Sequence, residues 1–425
     1  MRILCAPTTF EFDHNSADLN VALYAQAPSP DFGCIGEPVS RTIRRRKLSP
    51  PPRGWDFLSI ALSCFAADLA GHRARSADGW TREFDLCVTV NDVAFWNSVK
   101  DELESTLQFL TTDIWTFEFI EGGYHPSPPS GALKQKGDCV ALLSGGLDSF
   151  VGAIDLSADG YSPVTISHIS RGDHDKQESF PKLIGTGLQS ALFGHGGKVP
   201  DGESPASQRS RSIVFIGYAV LVATCLETWS TQTGTNCFVS ENGFISLNPP
   251  LTDMRVGSLS TRTTHPTYFR KLQSIFDQAG FNLKIENRYA LKTKGEMLIE
   301  CQDQALLRKL AHTSTSCGRF LHYNYKHCGR CIPCLVRRAA FLRWGHNDQT
   351  TYIFDNLGIN DDAHSRFDDV RAAAIASLAE EEVGTERWAG ATLASAGIAD
   401  PSDHIGMLHR GLIEIRSLLA AYGVL

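Results

Sequence analysis

Apolar positions recur along the chain in two rhythms, one helical and one alternating, and they divide it into three stretches. In the first, residues 55–74 and 93–110 repeat at helical spacing, while 83–90 and 114–120 read as strands. This predicts a small α+β domain, closed by the Pro/Ser/Gly-rich segment 124–131. Between 137 and 344, short apolar runs alternate with helical patterns, as in a doubly wound parallel sheet. Strands are expected at 139–143, 163–168, 237–240 and 283–286, and helices at 150–156 and 213–229. Segment 186–205, rich in Gly, Ser and Pro, reads as a surface loop; its Gly194-His-Gly-Gly-Lys198 resembles half of a phosphate loop but, with no strand expected ahead of it, reads as a chance match. From 346 onward the pattern is helical, at 365–381 and 404–422. The expected organisation is an N-terminal α+β domain over 1–134, an α/β domain over 135–345 and a helical extension over 346–425. No internal repeat is visible.

Composition narrows the function classes. A chain of 425 residues has room for two or three domains, and 42% hydrophobic residues suffice for a substantial core. The formal net charge of −7 argues against a chain dominated by nucleic-acid binding. The basic run 41–47, ended by Pro50–Pro52, has no interleaved aromatics to stack bases and reads as a solvated loop. The longest apolar run, 213–226, is shorter than the roughly 20 residues that cross a bilayer, and residues 1–10 carry no secretory pattern. Of 12 cysteines, four lie between 317 and 334 and eight are scattered, which fits a reducing cytoplasm with one thiolate site.

Two segments carry chemistry. In the first, an apolar strand ending at Leu143 runs into Ser144-Gly145-Gly146-Leu147-Asp148-Ser149 and then into an apolar helix. Gly145 and Gly146 let the backbone approach an oxyanion, successive N–H groups form a nest at the positive end of the helix, and Ser144 and Ser149 add hydroxyl donors. Asp148 repels a bare phosphate, so it either orders the loop or holds Mg²⁺ against the phosphates. The loop resembles the PP-loop of ATP pyrophosphatases. It is not a Walker A loop, because the Gly-Lys-Ser/Thr ending is missing; the resemblance implies AMP and pyrophosphate as products. In the second segment, Cys317, Cys328, Cys331 and Cys334 have the spacing of a closed four-thiolate Zn²⁺ site of structural type. Iron–sulfur or redox chemistry is the alternative. His322 and His327 lie within the same loop.

Together the motifs resemble the 7-cyano-7-deazaguanine synthase (QueC) family. The nearest likeness is to the longer QueC-like proteins of the Qat anti-phage defence system, over about residues 137–345. Looser matches are Arg209-Ser-Arg211-Ser-Ile-Val-Phe215, with Ser212 where the family has Asn, then Glu241-Asn242-Gly243 and Thr293-Lys294-Gly-Glu296. Ser260-Thr-Arg262-Thr-Thr-His265-Pro266 replaces the family's Tyr-Pro-Asp-Cys-Arg segment, and the biosynthetic members are about half as long. The resemblance implies a HUP-like doubly wound fold with a zinc-binding insert and an ATP- and Mg²⁺-dependent ligase. Such an enzyme adenylates a 7-carboxy-7-deazaguanine-type carboxylate for amide formation, in the biosynthetic members with ammonia. The added length suggests docking of proteins from the same defence operon, one of which would offer the amine.

On this reading Ser144, Asp148, Arg211 and Lys294 are the catalytic candidates. Residues 143–149 form the nucleotide cradle, and Arg211 meets the nucleotide or the transition-state charge. Glu241, Asn242, Arg262 and His265 are the substrate candidates, although a plain turn explains the first pair and a capped turn before Pro266 the second. Two other classes remain open: a non-catalytic nucleotide-binding scaffold of a defence complex, and a tRNA-modifying PP-loop enzyme.

Overall fold

The computed structural model describes residues 1–13, 16–203, 209–230, 234–251, 262–359 and 369–425. Two five-stranded sheets, each wholly parallel, organise the chain. The first contains β1 (Arg2–Pro7), β2 (Leu19–Leu23), β3 (Gly33–Ile35), β4 (Glu83–Val90) and β5 (Ile114–Glu121), in spatial order β3-β2-β1-β4-β5. The second contains β6 (Cys139–Leu142), β7 (Pro163–His168), β8 (Gln189–Phe193), β9 (Thr235–Phe238) and β10 (Leu283–Glu286), in order β10-β9-β6-β7-β8. Both sheets therefore start at the centre, run two strands to one side, and return to fill the other. The same winding occurs twice without a repeat in sequence.

The first stretch is thus a parallel α/β layer, which corrects the expected α+β arrangement. The strands β1 and β2 were missed because almost every residue of each is buried, leaving no alternation to read. At the edge, β5 does alternate, with Trp115, Phe117 and Phe119 inward. Helix α1 (Glu37–Arg45) takes up most of the basic run read as a loop. Arg46, just past its end, is half-buried and donates to Gln135 Oε1 at 3.2 Å and to the Ser190 carbonyl. Helix α2 (Pro52–Ala70) matches the first predicted helix. The second predicted helix is broken at buried Val99 into α3 (Val93–Ser98) and α4 (Lys100–Thr111).

In the second sheet, α5 (Leu147–Ala158), α6 (His174–Leu183), α7 (Arg211–Ala223) and α9 (Pro266–Ala279) connect the strands, with the single turn α8 (Gly243–Ser246) after β9. The segment 186–205, expected as a loop, contains β8, with 204–205 outside the described residues. A strand therefore does precede Gly194–Lys198, and this segment docks against the first sheet: Gly36 N donates to His195 O at 2.6 Å, and Cys34 and Lys198 exchange backbone bonds of 2.8 and 2.9 Å.

One continuous core spans both sheets, with almost wholly buried α2 lying against α7 and β4. Phe57 on α2 joins the halves: its ring stands 6.5 Å from Trp96, 5.1 Å from Phe276 and 6.3 Å from Phe281. Helices α10 (Lys294–Glu300), α11 (Gln304–Leu310) and α12 (Ile332–Trp344) follow the second sheet. The final helices are α13 (Asp369–Val383), α14 (Thr385–Trp388), α15 (Gly390–Ala396) and α16 (Ser402–Ala421); positions 365–368 of the predicted helix lie outside the described residues. They pack on α8 and α12 through Phe244, Leu335, Met407 and Leu412. Among the described residues no helix is long and apolar enough to cross a membrane.

Because Phe57 is fully buried at the seam, Phe57→Ala is expected to cost about 3–5 kcal/mol. Urea unfolding followed by circular dichroism should show a lower midpoint in a single transition; two separated transitions would contradict the shared core.

Candidate functional site

The strand order of the second sheet reverses between β6 and β9, and the carboxyl ends of these strands open a crevice there. Two adjoining cavities occupy it, of about 270 and about 250 Å³, sharing Ser144, Ser149, Ser240, Glu241, Thr263 and Thr264. A larger opening of about 550 Å³ lies between α12 and α16, and no predicted site residue lines it.

The predicted phosphate loop forms the floor of the crevice. Leu143 N donates to Ile166 O at 2.7 Å, continuing the ladder past β6. Gly145 has φ +92°, a conformation that L side chains rarely adopt, and Gly146 caps α5. Ser144 Oγ accepts from Gly146 N at 3.2 Å and lies 3.2 Å from Ser149 Oγ, which donates to Gly146 O at 3.0 Å. Asp148 and Ser149 stand in the first turn of α5, where the N–H groups have no helical partner.

Asp148 is buried, lines the first cavity together with Lys294, and is held there by three donors. Its carboxylate accepts from Lys294 Nζ, from Asn242 Nδ2 at 2.7 Å and from Asn242 N at 3.1 Å. Burial raises its pKa, but the Lys294 charge and hydrogen bonds from Glu241, Lys294 and Asn242 outweigh this and hold it at about 2. Beside it the Glu241 carboxyl is pushed well above its usual range by burial and by the Asp148 charge. Glu241 Oε1 also accepts from Asn242 Nδ2 at 3.1 Å. Of the two roles open to Asp148, the geometry matches ordering the loop. Both of its oxygens accept hydrogen bonds in this arrangement.

The other predicted residues divide. Glu241 lines both cavities, and Asn242 caps α8 by accepting from Ile245 N at 3.0 Å. Arg211 is exposed in the first turn of α7, lines the second cavity and forms no hydrogen bond or ion pair with the described residues. Lys294, buried at the start of α10, is committed to Asp148. Arg262 and His265 are not brought to the cavities. Arg262 donates to Phe109 O at 2.6 Å and lies over the Phe109 ring, while His265 caps α9 by accepting from Thr267 N at 3.2 Å. Their neighbours Thr263 and Thr264 line the cavities instead; Ser260 and Thr261 lie outside the described residues. Arg209 is buried, donating to Thr111 O at 3.3 Å.

Sequence reading missed a clamp around the loop. Gln177 Nε2 donates to Ser144 O at 3.0 Å and His168 O at 2.9 Å. Lys176 reaches Asp173 at 2.9 Å and the Thr315 hydroxyl, and Thr315 N donates to Gly145 O at 3.0 Å. These residues follow no motif; their only signal is a polar cluster after a strand.

Thr315 stands two residues before Cys317, which joins the loop to the cysteine cluster. The four sulfurs are buried and lie within 4.8 Å of one another, with Cys317–Cys331 and Cys328–Cys334 both at 3.9 Å. Four thiolates around one ion at about 2.3 Å would stand about 3.8 Å apart, so the cluster fits a metal ion and is compatible with zinc. Backbone N–H groups of Arg319, Cys328 and Cys331 point at the sulfurs at 3.3 Å. Gly329, at φ +90°, turns the knuckle where a Cβ would meet Phe354 O at 2.4 Å. His327 accepts from Ser316 N at 3.1 Å, and His322 is exposed. Buried Arg337 on α12 fastens the same wall, donating to Ser314 Oγ at 3.0 Å and Ala311 O at 2.8 Å.

Comparison with family models, with curated proteins and with solved structures finds no match to this chain.

Lys294→Met should destabilise the protein by about 3–5 kcal/mol in chemical denaturation, because it strands a buried carboxylate; adding Asp148→Asn should restore most of the loss. The ionised Asp148 contributes stability above its unfolded pKa, near 3.8, and that contribution is lost as pH falls through about 2. Removal of bound metal, or Cys331→Ser, should release the wall that holds Thr315 against Gly145. The expected result is one metal per chain by elemental analysis, with faster amide exchange at 144–149 and 314–317 after removal.

Proposed function

We propose that the chain is an ATP-consuming, AMP-forming enzyme of the PP-loop kind, related to the 7-cyano-7-deazaguanine synthases, with Zn²⁺ in the cysteine cluster as a structural ion. The observation that carries this is the Ser144–Ser149 loop at the switch point of a parallel sheet, opening on a crevice with Arg211, a cation unpaired among the described residues, at its side. The backbone N–H groups at the start of α5, with the Ser144 and Ser149 hydroxyls, hold the β- and γ-phosphates of ATP accompanied by Mg²⁺. The one carboxylate of the loop, Asp148, lies in the wall of the first cavity and is neutralised by Lys294.

The acceptor is a carboxylate of the 7-carboxy-7-deazaguanine type, seated in the second cavity between Phe215, Val239 and Arg211. A carboxylate oxygen attacks the α-phosphorus, the bond from that phosphorus to the bridging oxygen breaks, and pyrophosphate leaves with its electron pair. An amine then attacks the acyl carbon, AMP leaves, and the amine gives up a proton as the amide forms. The chain contributes alignment and charge compensation, with Arg211 facing the α-phosphate. The amine belongs to ammonia or to a partner protein of the same anti-phage defence system, for which the helices beyond 345 offer surface.

Purified protein given ATP, Mg²⁺ and 7-carboxy-7-deazaguanine should release AMP and pyrophosphate only when the carboxylate is present, read by liquid chromatography–mass spectrometry. Ser144→Ala should lower the rate on the order of 10²-fold. ATP binding without AMP, even with co-expressed operon partners, would replace this reading with that of a nucleotide-binding scaffold.

A further inference from the structure

We infer that the C-terminal helix α16 is a working part of the nucleotide site, with Glu414 acting as a positioning residue for Lys294. The inference rests on the nucleotide reading above and names a control element that the phosphate loop does not contain.

Asp148 is held by two arms, one bringing Asn242 and the other Lys294, and α16 touches both. Lys294 is the first residue of α10, whose start is fixed by a reciprocal cap: Thr293 Oγ accepts from Glu296 N at 3.1 Å, and Glu296 accepts from Thr293 N at 2.9 Å. Glu414 reaches this turn from α16. Its carboxylate is nearly inaccessible and accepts from the Thr293 hydroxyl and from Gly295 N at 3.2 Å, while Arg343 Nε of α12 lies 3.2 Å away. One turn earlier, Arg410 donates to Glu296 at 2.6 Å and to Leu291 O at 3.0 Å. The fit is close, since a Cβ on Gly295 would stand 2.5 Å from Glu414 Oε1.

The second arm is gripped by the same face of α16. Phe244, two residues after Asn242, lies where a Cβ on Gly411 would be 2.2 Å from its ring, and Met407 lies against Gly243. Residues 407, 411 and 414 share one face of the helix. A displacement of α16 therefore shifts both donors to Asp148 at once, and with them the first turn of α5.

Glu414 adds a pH dependence. Burial raises its pKa to about 6, against the opposing effects of Thr293, Arg343 and Gly295, with the Glu296 charge raising it further. The groups facing it are Thr293, Gly295 and Glu296 of the α10 turn and Arg343 of α12, with Arg410 on its own helix. Above pH 6 the ionised carboxylate holds Gly295 N–H and Arg343; below it the added proton weakens both.

The test uses the full chain with Glu414→Ala, Glu414→Gln and the exposed control Ser417→Ala. Binding of Mg·ATP is followed by calorimetry between pH 5 and 8, and amide exchange is followed without nucleotide. Glu414→Ala should weaken ATP binding about tenfold and speed exchange at Gly295 while α12 exchanges as before; Ser417→Ala should match the wild type. Between pH 7 and 5 the wild type should lose more affinity than Glu414→Gln, ATP's own titration being common to both. Unchanged exchange at Gly295 in Glu414→Ala overturns the inference whatever ATP does. So do equal ATP affinities or parallel pH profiles, and so does exchange accelerated throughout α12 and α16, which would mark a purely structural loss. A wild type that binds no ATP while Gly295 responds as expected sinks the nucleotide reading instead.

Discussion

A carboxylate cannot be buried without compensation, and Asp148 imposes that requirement on the whole second half of the chain. Three donors answer it from two distant segments: Lys294 Nζ and both nitrogens of Asn242. Removing water from such a charge is costly, and one good partner rarely suffices. Meeting the requirement draws the ends of β6 and β9 and the start of α10 to one point. The first turn of α5, which carries Asp148, is thereby tied to both segments.

The cysteine cluster works on the opposite wall. Its sulfurs fix Cys317, and two residues upstream Thr315 bonds to Gly145, so a thiol site outside the crevice sets one side of it. Arg337 and His327 reinforce the same short segment. The cysteine cluster and the glycine loop are joined here through a few backbone bonds, without any cysteine lining the two cavities.

The added segments are integrated by packing. Helix α2 lies in a core common to both sheets, and α16 is anchored by Met407 and Leu412 on the side that holds the Asp148 arms. The two sheets share one winding order, yet β1 runs into Pro7-Thr8-Thr9-Phe10 where β6 runs into the glycine loop. Equal topology has produced a glycine–serine turn in one sheet only, because that turn depends on glycine and serine at particular positions.

What the sequence by itself determined is what rests on neighbouring residues. Ser144–Ser149 and the Cys317–Cys334 spacing are local, so the loop and the knuckle were legible from residue type and distance along the chain. The edge strand β5 alternates and was read correctly, and α5 and α16 followed from their periodicity. The buried strands β1 and β2 carry no alternation, and β8 lies in a stretch whose Gly and Pro content spoke for a loop. Only the tertiary structure decided that Lys294 neutralises Asp148, that Arg262 and His265 serve a joint with α4 and a helix cap, that Gln177 and Thr315 bond to the loop, and that Glu414 bonds to the turn before Lys294. Each of these is a contact between residues far apart in sequence. Burial and charge pairing select such contacts only after the chain has closed on itself, so they leave no local signature to read.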